Sequence, residues 1–309
     1  MRIGYPIRNF RYWRRDIKLQ ILKSRTEFEN ASPEELGNIA IHNLGVLKQI
    51  LEFNKKHNLP VYEVSSDLLP WVHMFQPQGY PQYAKVLETC DEIANLIREN
   101  DMRICITPTL WQTLCGTNEE SVSKGIEVLK GSAMILDLLG LPQSFQAPII
   151  ISLTTNRKGA KEKYRRFANI HAKLPPNVKS RLVVRNDQKF TRFMVSDLAE
   201  DLQETLEIPV VVDTLFHQLN SDTSTIEEAL QSAFKTWGEI TPLYYYSEMK
   251  NKVEWFDPKK PVENFERSYL VYGEPPFAEN FVDCIIRAFG HEKAAIHMRN
   301  KHWRKNGSI

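Results

Sequence analysis

Eight short apolar runs recur along the chain, each separated from the next by a longer stretch whose apolar residues have helical spacing. The runs are "RIGYP" (2–6), "VYEVSS" (61–66), "RICIT" (103–107) and "PIIISL" (148–153), then "RLVVRN" (181–186), "IPVVVDT" (208–214), "PLYYYS" (242–247) and "FVDCIIRA" (281–288). Each is too short for an independent helix and rich in β-branched or aromatic residues, which predicts strands. Between them, "SPEELGNIAIHNLGVLKQILEFNKKHN" opens on the helix-start signal Ser32, Pro33, Glu35. It then carries Leu36, Ile39, Ile41, Leu44, Leu47, Ile50 and Leu51 on one broad apolar face. Comparable helices fit roughly 85–100, 117–139, 158–173, 190–206 and 223–238. This alternation predicts an α/β chain folded as a single (β/α)8 TIM barrel over 1–309, with a basic tail at 296–309. A doubly wound sheet is the alternative, but no GxGxxG follows any of the runs and there is no GK[ST] loop.

In such a barrel, function sits at the carboxyl ends of the strands. Those ends offer Tyr5, Asp67, Thr107, Ser152, Asn186 with Asp187, Asp213, Ser247 with Glu248, and Arg287. Few of them are the His, Asp or Glu that divalent metals prefer. Among them, Asp213 ends the β-branched apolar run Val210–Val212 and is followed by Phe216 and His217. A lone His after a strand is more often hydrogen-bonded in place than a ligand or base. No GxSxG elbow and no Cys with a His partner points to covalent catalysis.

The net charge of +2 demands no nucleic acid, yet the basic residues are clustered. Arg8, Arg11, Arg14 and Arg15 stand among Phe10, Tyr12 and Trp13. "NRKGAKEKYRR" spans 156–166, and "HMRNKHWRKNG" ends the chain with Trp303 inside it. Basic residues interleaved with aromatics suit phosphate neutralisation and base stacking, though solvated surface charge has the same composition. No run approaches a membrane span, and the N-terminus has no apolar signal region. The four cysteines, Cys90, Cys105, Cys115 and Cys284, form no CxxC pair, and two lie inside apolar strands. That pattern suits reduced thiols and a cytoplasmic location.

Five segments in order, "RIGYPIRNF", "SSDLLP", "GTNEESVSKGIEVLKGSAMILDLLGL", "RRFANIHAKLPPNVKSRLVVRND" and "IPVVVDTLFHQLN", together resemble the UV damage endonucleases, and the likeness runs from residue 2 to about 295. The resemblance implies a TIM barrel that nicks DNA beside ultraviolet photoproducts. It also implies a cluster of divalent metals at the mouth, held by His, Asp and Glu. Carried over by position, most of that cluster is missing. Thr107, Pro108 and Thr109 replace a His-Pro-Gly motif, and Ser152 replaces a His. Arg185 replaces a Glu before Asn186 and Asp187; Asp213 is kept, but Phe216 replaces the His after it. A tyrosine of Tyr244–Tyr246 and Arg287 stand for a further His and Glu, while His73 is a counterpart one residue out of register. Tyr5 and Asn9 match positions that line the pocket for damaged nucleotides. Leu110 and Trp111 match a Gln-Tyr pair that enters the duplex.

The resulting expectation is a DNA-repair relative whose nicking site is largely lost. It would bind DNA, including UV-damaged duplex, with no cofactor. Arg8, Arg11 and the 156–166 segment would hold phosphates, Leu110 and Trp111 would probe the base stack, and Tyr5 and Asn9 would contact extruded nucleotides. Arg185 and Arg287 would pair with Asp213 or Asp187, or bind a phosphate where metals should lie. Two alternatives stand beside it. One is a reduced Mn2+ or Mg2+ site rebuilt from Asp213, Glu248, Asp67 and His73. The other is a barrel recruited for an anionic, planar small molecule or a protein partner.

Overall fold

The protein is described by a computed structural model covering residues 1–108, 114–153, 155–156, 158–189, 191–221, 224–250, 266–278 and 280–306, with side chains through 302. All eight predicted strands form: β1 (Arg2–Pro6), β2 (Val61–Ser65), β3 (Arg103–Thr107), β4 (Ile149–Ser152), β5 (Leu182–Arg185), β6 (Val210–Val211), β7 (Leu243–Tyr246) and β8 (Asp283–Ile286). They are parallel, in the order β6-β5-β4-β3-β2-β1-β8-β7. The ring closes where Asp213 bridges Tyr245 and the Tyr245 amide donates to the Val212 carbonyl at 2.8 Å. Among the described residues, no helix is long and apolar enough to cross a membrane.

Alternation along the strands separates two apolar regions. Val61, Cys105, Ile150, Val183, Val211, Leu243, Tyr245 and Ile285 pack together inside the ring. The residues between them face outward against the helices, whose apolar stripes form the larger core. The helix Pro33–Lys56 starts as its sequence predicts: Ser32 and Glu35 cap each other's backbone amides, and Leu36, Leu44, Leu47, Ile50 and Leu51 are buried.

Two predicted segments differ. The helix expected over 190–206 is shorter, running over 195–201 with wide-turn hydrogen bonding at Asp197–Asp201. The Asp197 carboxylate accepts from the Met194 amide at 2.7 Å, the bond of a helix start, so the helical segment begins after Met194 rather than at 190. The expected tail at 296–309 begins inside the last helix, Glu292–Asn306, whose Ala294, Ala295 and Met298 are buried.

At the amino end of the barrel, Asp283 of β8 accepts from Arg2 of β1 at 2.7 and 2.8 Å and from Arg103 of β3 at 2.9 Å. Close approach of the strands also constrains β1. A Cβ on Gly4 would lie 1.8 Å from the Val61 carbonyl oxygen of β2, a backbone atom tied into the ladder. Gly4→Ala is therefore expected to cost about 3 kcal/mol, at the upper end of ordinary overpacking, measured as a lower urea midpoint with unchanged slope.

Candidate functional site

The mouth of the barrel is built two residues beyond the interior ring. Stepping on by one pleat from that ring gives Glu63, Thr107, Ser152, Arg185, Asp213 and Arg287, with Tyr245 between the layers. Five of the positions where the resemblance implies metal-cluster residues, Asp213 among them, thus share one layer.

Asp213 follows β6 and is fully buried. Its Oδ1 caps the helix Thr214–Leu219, accepting from the Leu215 and Phe216 amides at 3.2 and 3.3 Å, and also accepts from Ser247 Oγ at 3.3 Å. Its Oδ2 faces Arg287 Nη1 at 3.3 Å and Arg267 Nη2 at 3.7 Å. Asn186 holds it from β5, accepting from the Asp213 amide at 2.8 Å and donating to its carbonyl at 3.2 Å. In this arrangement the carboxylate is a helix cap and an ion-pair partner.

Three guanidinium groups and two rings interleave above it. Arg185 lies 5.5 Å from the Phe216 ring and 5.4 Å from the Tyr245 ring. Arg267 lies 5.5 Å from the Phe216 ring, and Arg287 4.9 Å from that of Tyr245. These distances suit cation–π contact. Burial lowers Arg267, Asp213 opposes that, and Arg287 and Arg185 add to it. Burial also works against the Arg287 charge, but Glu63, Asp213 and Tyr245 outweigh it and raise the group overall. Burial lifts the Tyr245 phenol well above its ordinary range, so it stays protonated, and its oxygen is 3.3 Å from Thr107 Oγ1. Glu63, 1% exposed, has no hydrogen bond to either carboxylate oxygen among the described residues.

This donor set does not fit the divalent cluster. Phe216 offers no ligand atom, and the oxygens of Asp213 are already engaged. Among the described residues no group of three or more His, Cys, Asp or Glu side chains could hold a metal ion. A guanidinium about 4 Å from a divalent cation repels it by roughly 8 kcal/mol at an effective dielectric near 20.

Asp67 lies close enough to His73 for their charges to interact, and it lines a cavity at the mouth with Arg267 and Arg287. Among the described residues, however, the candidates for a rebuilt site form no metal-holding group of three. Glu248 accepts from Tyr246 Oη at 2.9 Å and from the Tyr272 and Gly273 amides at 2.9 and 2.6 Å, organising that loop. Burial raises Asp67, which hydrogen-bonds Ser65 at 3.3 Å. Burial lowers His73, which stacks on Trp71 at 5.4 Å and lines a separate cavity with Glu127 and Lys130. Asp187 pairs with Arg192 at 3.0 Å rather than with Arg185 or Arg287. His217 is buried, with Nε2 3.0 Å from the Ser224 carbonyl, the hydrogen-bonded arrangement expected of it.

Of the residues expected at the nucleotide pocket, Tyr5 and Asn9 are both buried. Tyr5 is fully buried, because strand alternation turns it outward to the helix layer. Its hydroxyl donates to Asn54 at 2.7 Å and accepts from Asn9 at 2.9 Å. Asn9 is 3% exposed and caps the helix Phe10–Trp13 through its side-chain oxygen. The pair thus holds the 7–13 segment in place, with Asn9 also in the wall of the mouth cavity. Arg8 and Arg11 are exposed, with Arg11 lying 5.9 Å from the Phe53 ring. Leu110 and Trp111 lie outside the described residues.

What the segment helps build is a cavity of about 480 Å3 at the mouth, with Arg267 and Arg287 among its walls. Trp13, Ile21 and Phe289, each about half exposed, add apolar surface to the same cavity. Ile7, also in its wall, has φ 54°, an outlier for a β-branched residue. Its amide donates to the Glu63 carbonyl and its carbonyl accepts from Tyr62 Oη, both at 2.8 Å, and these bonds hold the strained conformation. Glu63 and Arg267 escaped the reading of strand ends. Glu63 was signalled by period two, standing two places after Val61; Arg267 lies in a long connection with no periodic pattern.

Comparison with known proteins agrees with this architecture. The model of the family "UV-endonuclease UvdE" matches residues 2–305. The UV DNA damage endonuclease of Nostoc sp. (strain PCC 7120 / SAG 25.82 / UTEX 2576) is 25% identical over 271 residues, covering 86% of this chain and 79% of that protein. That of Bacillus cereus (strain Q1) is 26% identical over 263 residues, covering 82% and 80%. The crystal structure of SacUVDE superposes with a TM-score of 0.82 at 27% identity, over 100% of both chains. Endonuclease IV from Thermus thermophilus shares the fold at a TM-score of 0.53 and 12% identity, covering 99% of this chain and 100% of that one. The match over nearly the whole chain places this protein in the UvdE family of UV endonucleases.

Proposed function

We propose that this protein is a noncatalytic member of its family that binds DNA, with preference for UV-damaged duplex, and does not nick it. The observation that carries this reading is the set of three guanidinium groups, from Arg185, Arg267 and Arg287, gathered around Asp213, Phe216 and Tyr245 at the mouth. Guanidinium groups at these positions repel a divalent cation, which leaves no Lewis acid to polarise a phosphodiester or activate a bound water for attack. The positive charge remains available to a DNA strand. Arg8 and Arg11 flank the cavity segment, and exposed Lys158, Lys161 and Arg165 follow β4 on the same end of the barrel. Such groups neutralise backbone phosphates, and Trp111 is suited to enter the stack beside a lesion.

The test compares irradiated with intact duplex. Wild-type protein is expected to bind irradiated DNA more tightly and to leave it uncut in the presence of Mn2+ or Mg2+. Trp111→Ala is expected to bring the two affinities within about threefold of each other, a loss of less than 1 kcal/mol remaining between them. Equal affinity for both duplexes in the wild type would remove lesion recognition. Metal-dependent nicking abolished by Asp213→Asn would establish an active endonuclease instead.

A further inference from the structure

We infer that the arginine cluster at the barrel mouth is a site for a single phosphate oxyanion, and that Asp213 is its built-in competitor. This deepens the DNA-binding reading and rests on it only for where the phosphate comes from.

Asp213 engages its arginines at long range. Its contacts with Arg287 and Arg267, at 3.3 and 3.7 Å, are longer than the 2.7–2.9 Å contacts Asp283 makes with Arg2 and Arg103 in the same protein. Asp213 is not free to shorten them, because its other oxygen is anchored by Leu215, Phe216 and Ser247. Arg185 has Nε and Nη1 buried, with no hydrogen-bond partner for either among the described residues. Unmade bonds of a buried charged donor are costly, and an oxyanion supplies the missing acceptors.

Charge and space agree. Among the described residues, the cations Arg185, Arg267, Arg287, Arg8 and Lys18 stand against the carboxylates Asp213, Glu63 and Asp67 at the mouth, an excess of two positive charges for an anion to balance. The cavity of about 480 Å3 reaches Arg267 and Arg287 and is large enough for a phosphate with its attached sugar. A phosphodiester of a DNA strand and free inorganic phosphate present the same oxygens to these donors. The cluster accordingly binds the anion without cleaving any bond.

The test uses the full-length protein and inorganic phosphate at constant ionic strength, followed by calorimetry and thermal shift. Saturable binding is expected. Arg287→Gln should weaken it at least tenfold. Asp213→Asn should tighten it at least threefold, since the amide no longer competes for the guanidinium groups. Arg185→Gln breaks no hydrogen bond among the described residues, so it keeps the test available if Asp213→Asn fails to fold; it too should weaken phosphate at least tenfold. Phosphate should also displace a fluorescent duplex more effectively than chloride of equal ionic strength, which identifies the DNA backbone as a natural source. Phosphate binding indifferent to Arg287→Gln and Arg185→Gln, or no phosphate binding in a protein that binds duplex, would overturn the oxyanion site and leave the DNA reading standing. Phosphate binding in a protein that binds no duplex would keep the site and remove the DNA reading.

Discussion

Replacing Asp283 with alanine is expected to destabilise the protein by about 3–5 kcal/mol, read as a lower midpoint of urea unfolding. The Asp283 side chain is fully buried and holds Arg2 and Arg103 through three hydrogen bonds of 2.7–2.9 Å. Arg103 is itself 3% exposed and lies 5.2 Å from the Trp237 ring. It also donates to the carbonyls of Phe145, Gln146 and Thr241. These carbonyls satisfy its donors but carry no net charge, so removing the carboxylate leaves a buried cation uncompensated. That penalty, rather than the lost bonds, dominates the expected effect. Glu29→Ala is the control: it removes an exposed i,i+4 pair with Arg25 and should cost no more than about 0.5 kcal/mol. A similar small loss for Asp283→Ala would mean that Arg103 has another route to solvent or charge.

Affinity for duplex DNA is expected to fall by several hundredfold between about 50 and about 200 mM salt, with a log–log slope near −4.5. The figure corresponds to about five phosphates neutralised, each contributing roughly −0.9 to the slope. Arg8, Arg11, Lys158, Lys161 and Arg165 are the exposed candidates on the mouth side of the barrel. Lys161→Ala and Arg165→Ala should each flatten the slope by about 0.9 while weakening irradiated and intact duplex alike. The mouth arginines should behave differently, because their surroundings are partly desolvated and screened less by salt. A slope near zero would show that these surface cations do not meet the DNA backbone.

Residues at the mouth were legible to different degrees. The apolar face of 33–56 and the capping pair Ser32–Glu35 are local features and fold as they read. Asp213 was expected to meet an arginine, and it meets Arg287; the second partner is Arg267 rather than Arg185. Tyr5 was expected at the mouth because it ends a strand, but the pleat turns it to Asn54 and the helix layer. His73 stays close enough to Asp67 for their charges to interact, and it also lines a cavity with Glu127 and Lys130. Over 190–206, an amphipathic pattern suggested a helix, and one forms only over 195–201, begun by the bond from the Met194 amide to Asp197.

By itself the sequence determined the barrel and its family, because strand and helix periods and their order are written in short-range spacing. It also shows which residue types stand at the positions where the resemblance implies metal ligands, since ligand chemistry belongs to the residue type. Only the tertiary structure decided which charges meet. Closing the ring brings Glu63, Arg185, Asp213 and Arg287 into one layer from four strands, and a distant connection supplies Arg267. Ion pairing depends on through-space distances of a few ångströms, and no local pattern encodes those across such separations in the chain.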